Sequence, residues 1–218
     1  MISVSLTSAQ AQQQSRTQGA TGQQRTAKGA PVAGFALEPG SVSKGVYRNP
    51  GFGFNCKIPQ GWVLRTDEMN AEQTAAAKEE TAKSAKTSPT TRVLLAAFSR
   101  PPEAHGEDVN SSILIAAESA AAYPGLKDAA QYFGPLGEVA KAEGLEAIQE
   151  PYDFEVGAKT LPREDFQKDV GTRVMLQSTL AMLARGYAIS FTFIGGTEDE
   201  VEELVAGLTF PSAGKPPK

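Results

Sequence analysis

Histidine, cysteine and tryptophan each occur only once in these 218 residues. The single cysteine, Cys56, excludes an intramolecular disulfide and any zinc site built on several thiolates. With His105 as the only histidine, a Ser-His-Asp arrangement would have to use it, and no nucleophile-elbow pattern is present to complete one. No apolar run approaches the roughly 20 residues that a membrane-spanning helix needs, which excludes a helical transmembrane segment. Acidic residues are missing before Glu38, where the only charges are Arg16, Arg25 and Lys28. The remainder is therefore distinctly acidic, and the net charge of −4 argues against a nucleic-acid partner. Phosphate cradles are lacking as well. Gly51-Phe52-Gly53-Phe54 has no third glycine at the required offset, and acidic residues that repel a phosphate follow Gly195-Gly196.

Against these absences stands an ordinary globular composition, 40% hydrophobic and 21% charged. Residues 1–37 read as a disordered tail rich in Gln, Thr, Ala and Gly, because such a tract buries too little surface to offset its ordering entropy. Within it Ala9-Gln10-Ala11 has the small-residue form that signal peptidase accepts, preceded by Ile2, Val4 and Leu6. The expectation is the remnant of a signal peptide whose start lies upstream of Met1, and hence a periplasmic or secreted protein. The alternative is a cytoplasmic chain with an accidental triplet. A single domain is expected over residues 38–213, with a frayed end at 214–218.

Period-two alternation of Phe52, Phe54, Cys56 and Ile58 predicts a half-buried strand that places Cys56 in the core. Pro59-Gln60-Gly61 predicts a turn and Trp62–Leu64 a short strand. Residues 67–86 combine high helix propensity with no apolar stripe, which predicts a weakly docked helix or a mobile insertion. Val93–Phe98 and Ile113–Ala117 have the length of strands buried on both faces. A helix broken at Gly134-Pro135 is expected from Pro124 to Glu143. Hairpins are expected for Ala147–Val156 with Lys159–Gln167, and for Arg173–Leu183 with Tyr187–Ile194. Thr197 and Glu200 form a capping box ahead of Val201, Leu204, Val205 and Leu208, whose spacing predicts a final amphipathic helix. Hairpin-joined strands with helices at the middle and end describe an α+β domain, an antiparallel sheet with helices packed on its faces.

Three places resemble the PsbP-like family, whose α/β/α sandwich is shared with a nuclear-import factor that binds the GTPase Ran. They are Tyr47-Arg48-Asn49-Pro50-Gly51-Phe52-Gly53-Phe54 leading to Ile58-Pro59-Gln60-Gly61-Trp62, the late hairpin ending in Ser190-Phe191-Thr192-Phe193, and the closing helix with Gly207-Leu208-Thr209-Phe210. The resemblance brackets about residues 45–212. It implies the sandwich fold and a non-enzymatic accessory or binding role, and it carries no partner-binding residue onto this chain.

Chemistry-bearing clusters are few. Glu103, His105, Glu107 and Asp108 crowd one loop that could hold a hard or borderline cation. The bland reading is a solvated loop, favoured because neighbouring residues in a flexible segment seldom converge without a scaffold. Glu198, Asp199, Glu200, Glu202 and Glu203 gather at the start of the last helix, where the helix dipole favours them. No catalytic residue and no cofactor are expected. The leading expectation is a non-enzymatic exported accessory protein that binds an unknown protein partner. A small-molecule or metal-ion binder of the envelope is the alternative, and a hydrolase with a non-standard site is third.

Overall fold

A computed structural model describes residues 37–83, 91–104, 106 and 108–211. Of the tail expected over residues 1–37 only Leu37 is described, and it packs against the core; the rest of it, the frayed end expected from 214 and 84–86 of the Ala-rich segment lie outside the described residues. Lys44 and Gly45, with φ of 51° and 69°, make the two-residue turn between β1 (Ser41–Ser43) and β2 (Val46–Asn49). Left-handed φ at both central positions is what a twist-matched hairpin turn requires. β3 (Phe54–Lys57) pairs back on β2, and a corner through Pro59-Gln60-Gly61 leads to β4 (Val63–Leu64) in a different sheet. Then come α1 (Thr66–Lys83), β5 (Arg92–Phe98), β6 (Ser112–Ser119) and α2 (Phe133–Ala142). β7 (Glu146–Ala147), β8 (Tyr152–Val156), β9 (Lys159–Val170), β10 (Arg173–Ala184) and β11 (Tyr187–Gly195) complete the large sheet. α3 (Glu198–Ala206) and β12 (Leu208–Thr209) close the fold.

The architecture is α+β, with two antiparallel sheets where a single one was expected. The small sheet has the order β1-β2-β3-β12, and the large one β4-β5-β6-β11-β10-β9-β7, with β8 also on β9. Register explains the layering. Tyr187, Ile189, Phe191 and Phe193 share one face of β11, and the facing partners on β6 include Ile113, Ile115 and Ala117. This face meets the small sheet and α3 in one core with Phe54, Cys56, Val201 and Leu208. Phe54 stands edge-on to Phe191 at 4.9 Å between ring centres, so the two sheets lock through aromatic contact. On the opposite face Ala181 and Ala188 pack with Tyr132 and Phe133 at the start of α2.

Several local expectations are revised. Pro124–Ala129 is not helical; Gly125 turns the chain with φ of 97°, and a 3-10 turn at Ala130–Tyr132 precedes α2. Pro135 falls in the first turn of α2, where its missing N–H costs no helix bond, so it belongs to the start of the helix and does not kink it. The strand expected over Ala147–Val156 is divided into β7 and β8 by residues 148–151, which include Pro151. Leu208 pairs with Cys56 in β12 and is not part of α3.

α1 docks despite lacking an apolar stripe. The Asn70 side chain donates to the Val93 carbonyl at 2.9 Å and accepts from the Val93 N–H at 3.1 Å. Thr66 Oγ1 accepts from the Ala96 N–H at 3.0 Å. These side chains satisfy the edge of β5 as a neighbouring strand would, which blunts an otherwise exposed edge.

Candidate binding groove

The corner that carries the chain between sheets also builds an open, largely apolar groove. Ile58 is fixed there by its N–H, which donates to the Gly45 carbonyl at 2.8 Å. Gly61, with φ of 86°, lets the chain turn sharply, and Trp62 then packs partly against the core. Between this corner and the β1–β2 hairpin lies a groove of about 610 Å³, lined by Val42, Ile58, Trp62 and Leu64. That volume is within the range of ligand sites, roughly 300–1,000 Å³. Val42 and Leu64 remain 41% and 45% exposed, two large apolar side chains facing one hollow. Among the described residues, its only charged lining side chains are Lys44 and Lys57.

Each wall includes one residue of an edge strand, Val42 of β1 and Leu64 of β4. A two-residue turn makes Ser43–Val46 a hydrogen-bonded pair, so the Val42–Tyr47 pair is not one, and the Val42 N–H and C=O point away from β2. Across the groove Arg65 N–H donates to the Ala96 carbonyl at 2.9 Å. That bond makes Leu64–Ala97 the non-bonded pair, and the Leu64 backbone also faces outward. Among the described residues no strand pairs with either edge.

A second hollow, of about 350 Å³, lies between β9 and α3 and carries the charged side chains of Arg163, Asp165, Glu198 and Glu202. The buried Arg163 donates to Asp165 Oδ1 at 2.9 Å and to Glu202 on α3, while the Tyr152 hydroxyl donates to Asp165 at 2.6 Å. The Phe154 ring lies 4.6 Å from the guanidinium. Burial opposes the charge on Arg163, but the Glu202 and Asp165 carboxylates outweigh it and hold the group above its ordinary range. Burial, then the hydrogen bond to Asp165, pushes the Tyr152 phenol up to about 12. Arg163 thus spends its charge inside the protein and ties α3 to the sheet.

The acidic loop does not assemble among the residues described. Glu103 accepts from Arg65 at 2.6 Å, and a hydrogen bond from its own backbone, then Arg65, holds its carboxyl below the ordinary range. Asp108 faces Arg100, with 3.5 Å from Nη1 to Oδ2. His105 and Glu107 lie outside the described residues. No group of three or more His, Cys, Asp or Glu able to hold a metal occurs among the described residues. The acidic start of α3 is engaged locally: Glu200 accepts from the Ser111 hydroxyl at 2.5 Å and from the Gly196 N–H at 2.9 Å.

Sequence reasoning placed Phe52, Phe54, Cys56 and Ile58 on the buried face of a strand and missed that the corner after them forms a groove. Phe52, Phe54, Cys56 and Ile58 are indeed buried. Val42, Lys44, Lys57 and Leu64 gave no local signal, because the groove exists only once two sheets meet.

No family model and no curated protein matches the chain. Among solved structures, the protein of unknown function PA94 from Pseudomonas aeruginosa is 14% identical, covering 68% of this chain and 81% of that one with a TM-score of 0.33. LpqN of Mycobacterium tuberculosis, involved in cell envelope biogenesis, is 15% identical over 72% of this chain and 83% of its own, with a TM-score of 0.38. A Bacteroides thetaiotaomicron protein is 11% identical over 75% of this chain and 47% of its own, at a TM-score of 0.36.

Proposed function

We propose that this chain is a non-enzymatic accessory protein that binds a protein partner through the groove between β1 and β4. One observation carries the reading: Val42, Trp62 and Leu64 line a single hollow bordered by two edge strands, β1 and β4. Exposed apolar side chains scattered singly mean little, whereas several converging on one concave site mark an interaction surface. The resemblance of three segments to the PsbP-like family supports an accessory role. The Ala9-Gln10-Ala11 triplet supports action outside the cytoplasm.

A photocrosslinking amino acid placed at position 42 or 64 tests the reading against one at position 139 on α2, where Val139 is also exposed. In native extract the first two positions should trap the same protein, and position 139 should not. Identical products at all three positions would refute it. A second reading, binding of a small organic amine in the hollow beside Tyr152, is favoured by the carboxylates of Asp165, Glu198 and Glu202, which outnumber the one cation among its described lining residues, Arg163. A thermal-shift series with small amines decides it, since no rise in Tm at millimolar ligand leaves it without support.

A further inference from the structure

Resting on that reading, we infer that the groove accepts an extended segment of the partner, with apolar residues flanked by acidic ones, as an added strand on β1. Three independent features of the site converge on this chemistry.

The first is the backbone. Val42, which lines the groove, has an N–H and a C=O that point away from β2 at the outer edge of β1, one donor and one acceptor at the spacing that a single residue of an antiparallel strand satisfies. Strand addition of this kind draws affinity from main-chain bonds and selectivity from alternate side chains. An acyl chain offers neither donor nor acceptor, so a lipid would leave these groups unsatisfied when it covered them.

The second is shape. Side chains that alternate along a strand project every second residue to one face, about 6–7 Å apart. Val42 on one wall and Leu64 on the other, with Trp62 beside Leu64, give such side chains an apolar seat. A helix, about 10 Å wide with its backbone groups already paired, would gain nothing from the open edge.

Charge supplies the third. The whole chain has a net charge of −4, yet among the described residues the groove is lined by Lys44 and Lys57 and by no acid. Both lysines are exposed, so they steer and select and are not buried struts.

An array of nonapeptides provides the test. Each member carries two apolar residues two positions apart, flanked by Glu, by Gln or by Lys, with the flanks and apolar residues varied. Trp62 is the only tryptophan and lines the groove, so its fluorescence reports occupancy in the full chain without a label. Glu-flanked members should bind about fivefold or more tightly than their Gln-flanked counterparts at low ionic strength, and the gap should close as salt rises. N-methylation of the central peptide amide should abolish binding. The double substitution Lys44→Glu, Lys57→Glu should reverse the preference to Lys-flanked peptides, and neither exposed position threatens the fold. Peptides binding without regard to flanking charge, or unaffected by N-methylation, would overturn this inference while leaving the groove a protein-binding site. A Trp62 signal that anionic phosphatidylglycerol vesicles move and no peptide moves would overturn both.

Discussion

Glu164 lies on β9 opposite Thr179 of β10, only 7% exposed, and its Oε2 is buried with no hydrogen-bond partner. Burial, then the nearby Glu150 and Asp165 carboxylates, pushes its carboxyl from 4.5 up to about 7. The folded chain therefore holds this proton more tightly than the unfolded chain does. Between about pH 4.5 and pH 7 the native state binds more protons than the unfolded state, so stability falls as pH rises and stays lower above that window. Glu164→Gln removes the penalty. Thermal unfolding should show the variant gaining on the parent by a larger margin at pH 8 than at pH 5. Equal margins at the two pH values would mean that Glu164 is not the titrating group. Cys56 is the contrasting residue, 0% exposed and raised to about 12 by burial alone. Ellman's reagent should leave it untouched in the native protein at pH 8 and label it fully in urea.

Among the elements, α1 shows how a helix can be held without an apolar face. Asn70 spans the Val93 N–H and C=O, and Thr66 takes the Ala96 N–H, so the first two turns substitute for a strand at the edge of β5. Asn70→Ala leaves both groups of Val93 without their partner at a buried position, which costs about 1–3 kcal/mol. Urea unfolding should show that loss, and hydrogen exchange should speed up first in α1 and at Val93. An unchanged exchange rate at Val93 would place the edge protection elsewhere. This element also shows where the sequence stops being legible. The helix followed from its Ala, Glu and Lys content, but its docking depends on Asn70 meeting a strand 23 residues further on. The hairpin of β10 and β11 was readable because its apolar alternation and the Arg185-Gly186 turn are local. β1 and β12 were not, since strands of three and two residues carry no periodicity and exist only through their pairing with β2 and β3. The groove shares that origin: Trp62 and the Pro-Gly corner stood out, while Val42, Lys44, Lys57 and Leu64 acquired meaning from the meeting of two edges.

At the scale of the whole molecule, the small sheet is assembled from both ends of the described chain, β1 to β3 from its start and β12 from its finish. It has four short strands, and a sheet of that size needs a partner surface for stability. That surface is the large sheet, reached through Phe54, which contacts Phe191 at 4.9 Å, Tyr47 at 5.8 Å and Phe210 at 6.3 Å. Phe210 also carries Lys159 over its ring, so the residues after the last helix are pinned to β9 as well. Because one cluster of side chains belongs to both sheets, neither can lose its packing alone, and the two should unfold together. Phe54→Ala tests this. Removing a buried ring at the junction costs about 3–5 kcal/mol, a large fraction of the stability of a single domain. Trp62 fluorescence reports the groove between the sheets, and far-UV circular dichroism reports mainly the large sheet. In urea the variant's midpoint should fall equally by both probes, with the two curves superimposed as in the parent chain. If the fluorescence transition moved to lower urea while the dichroism transition stayed in place, the small sheet would be a separate, weaker unit. The groove would then rest on a mobile wall, and a segment occupying it as proposed would have to assemble that wall as well as fill it.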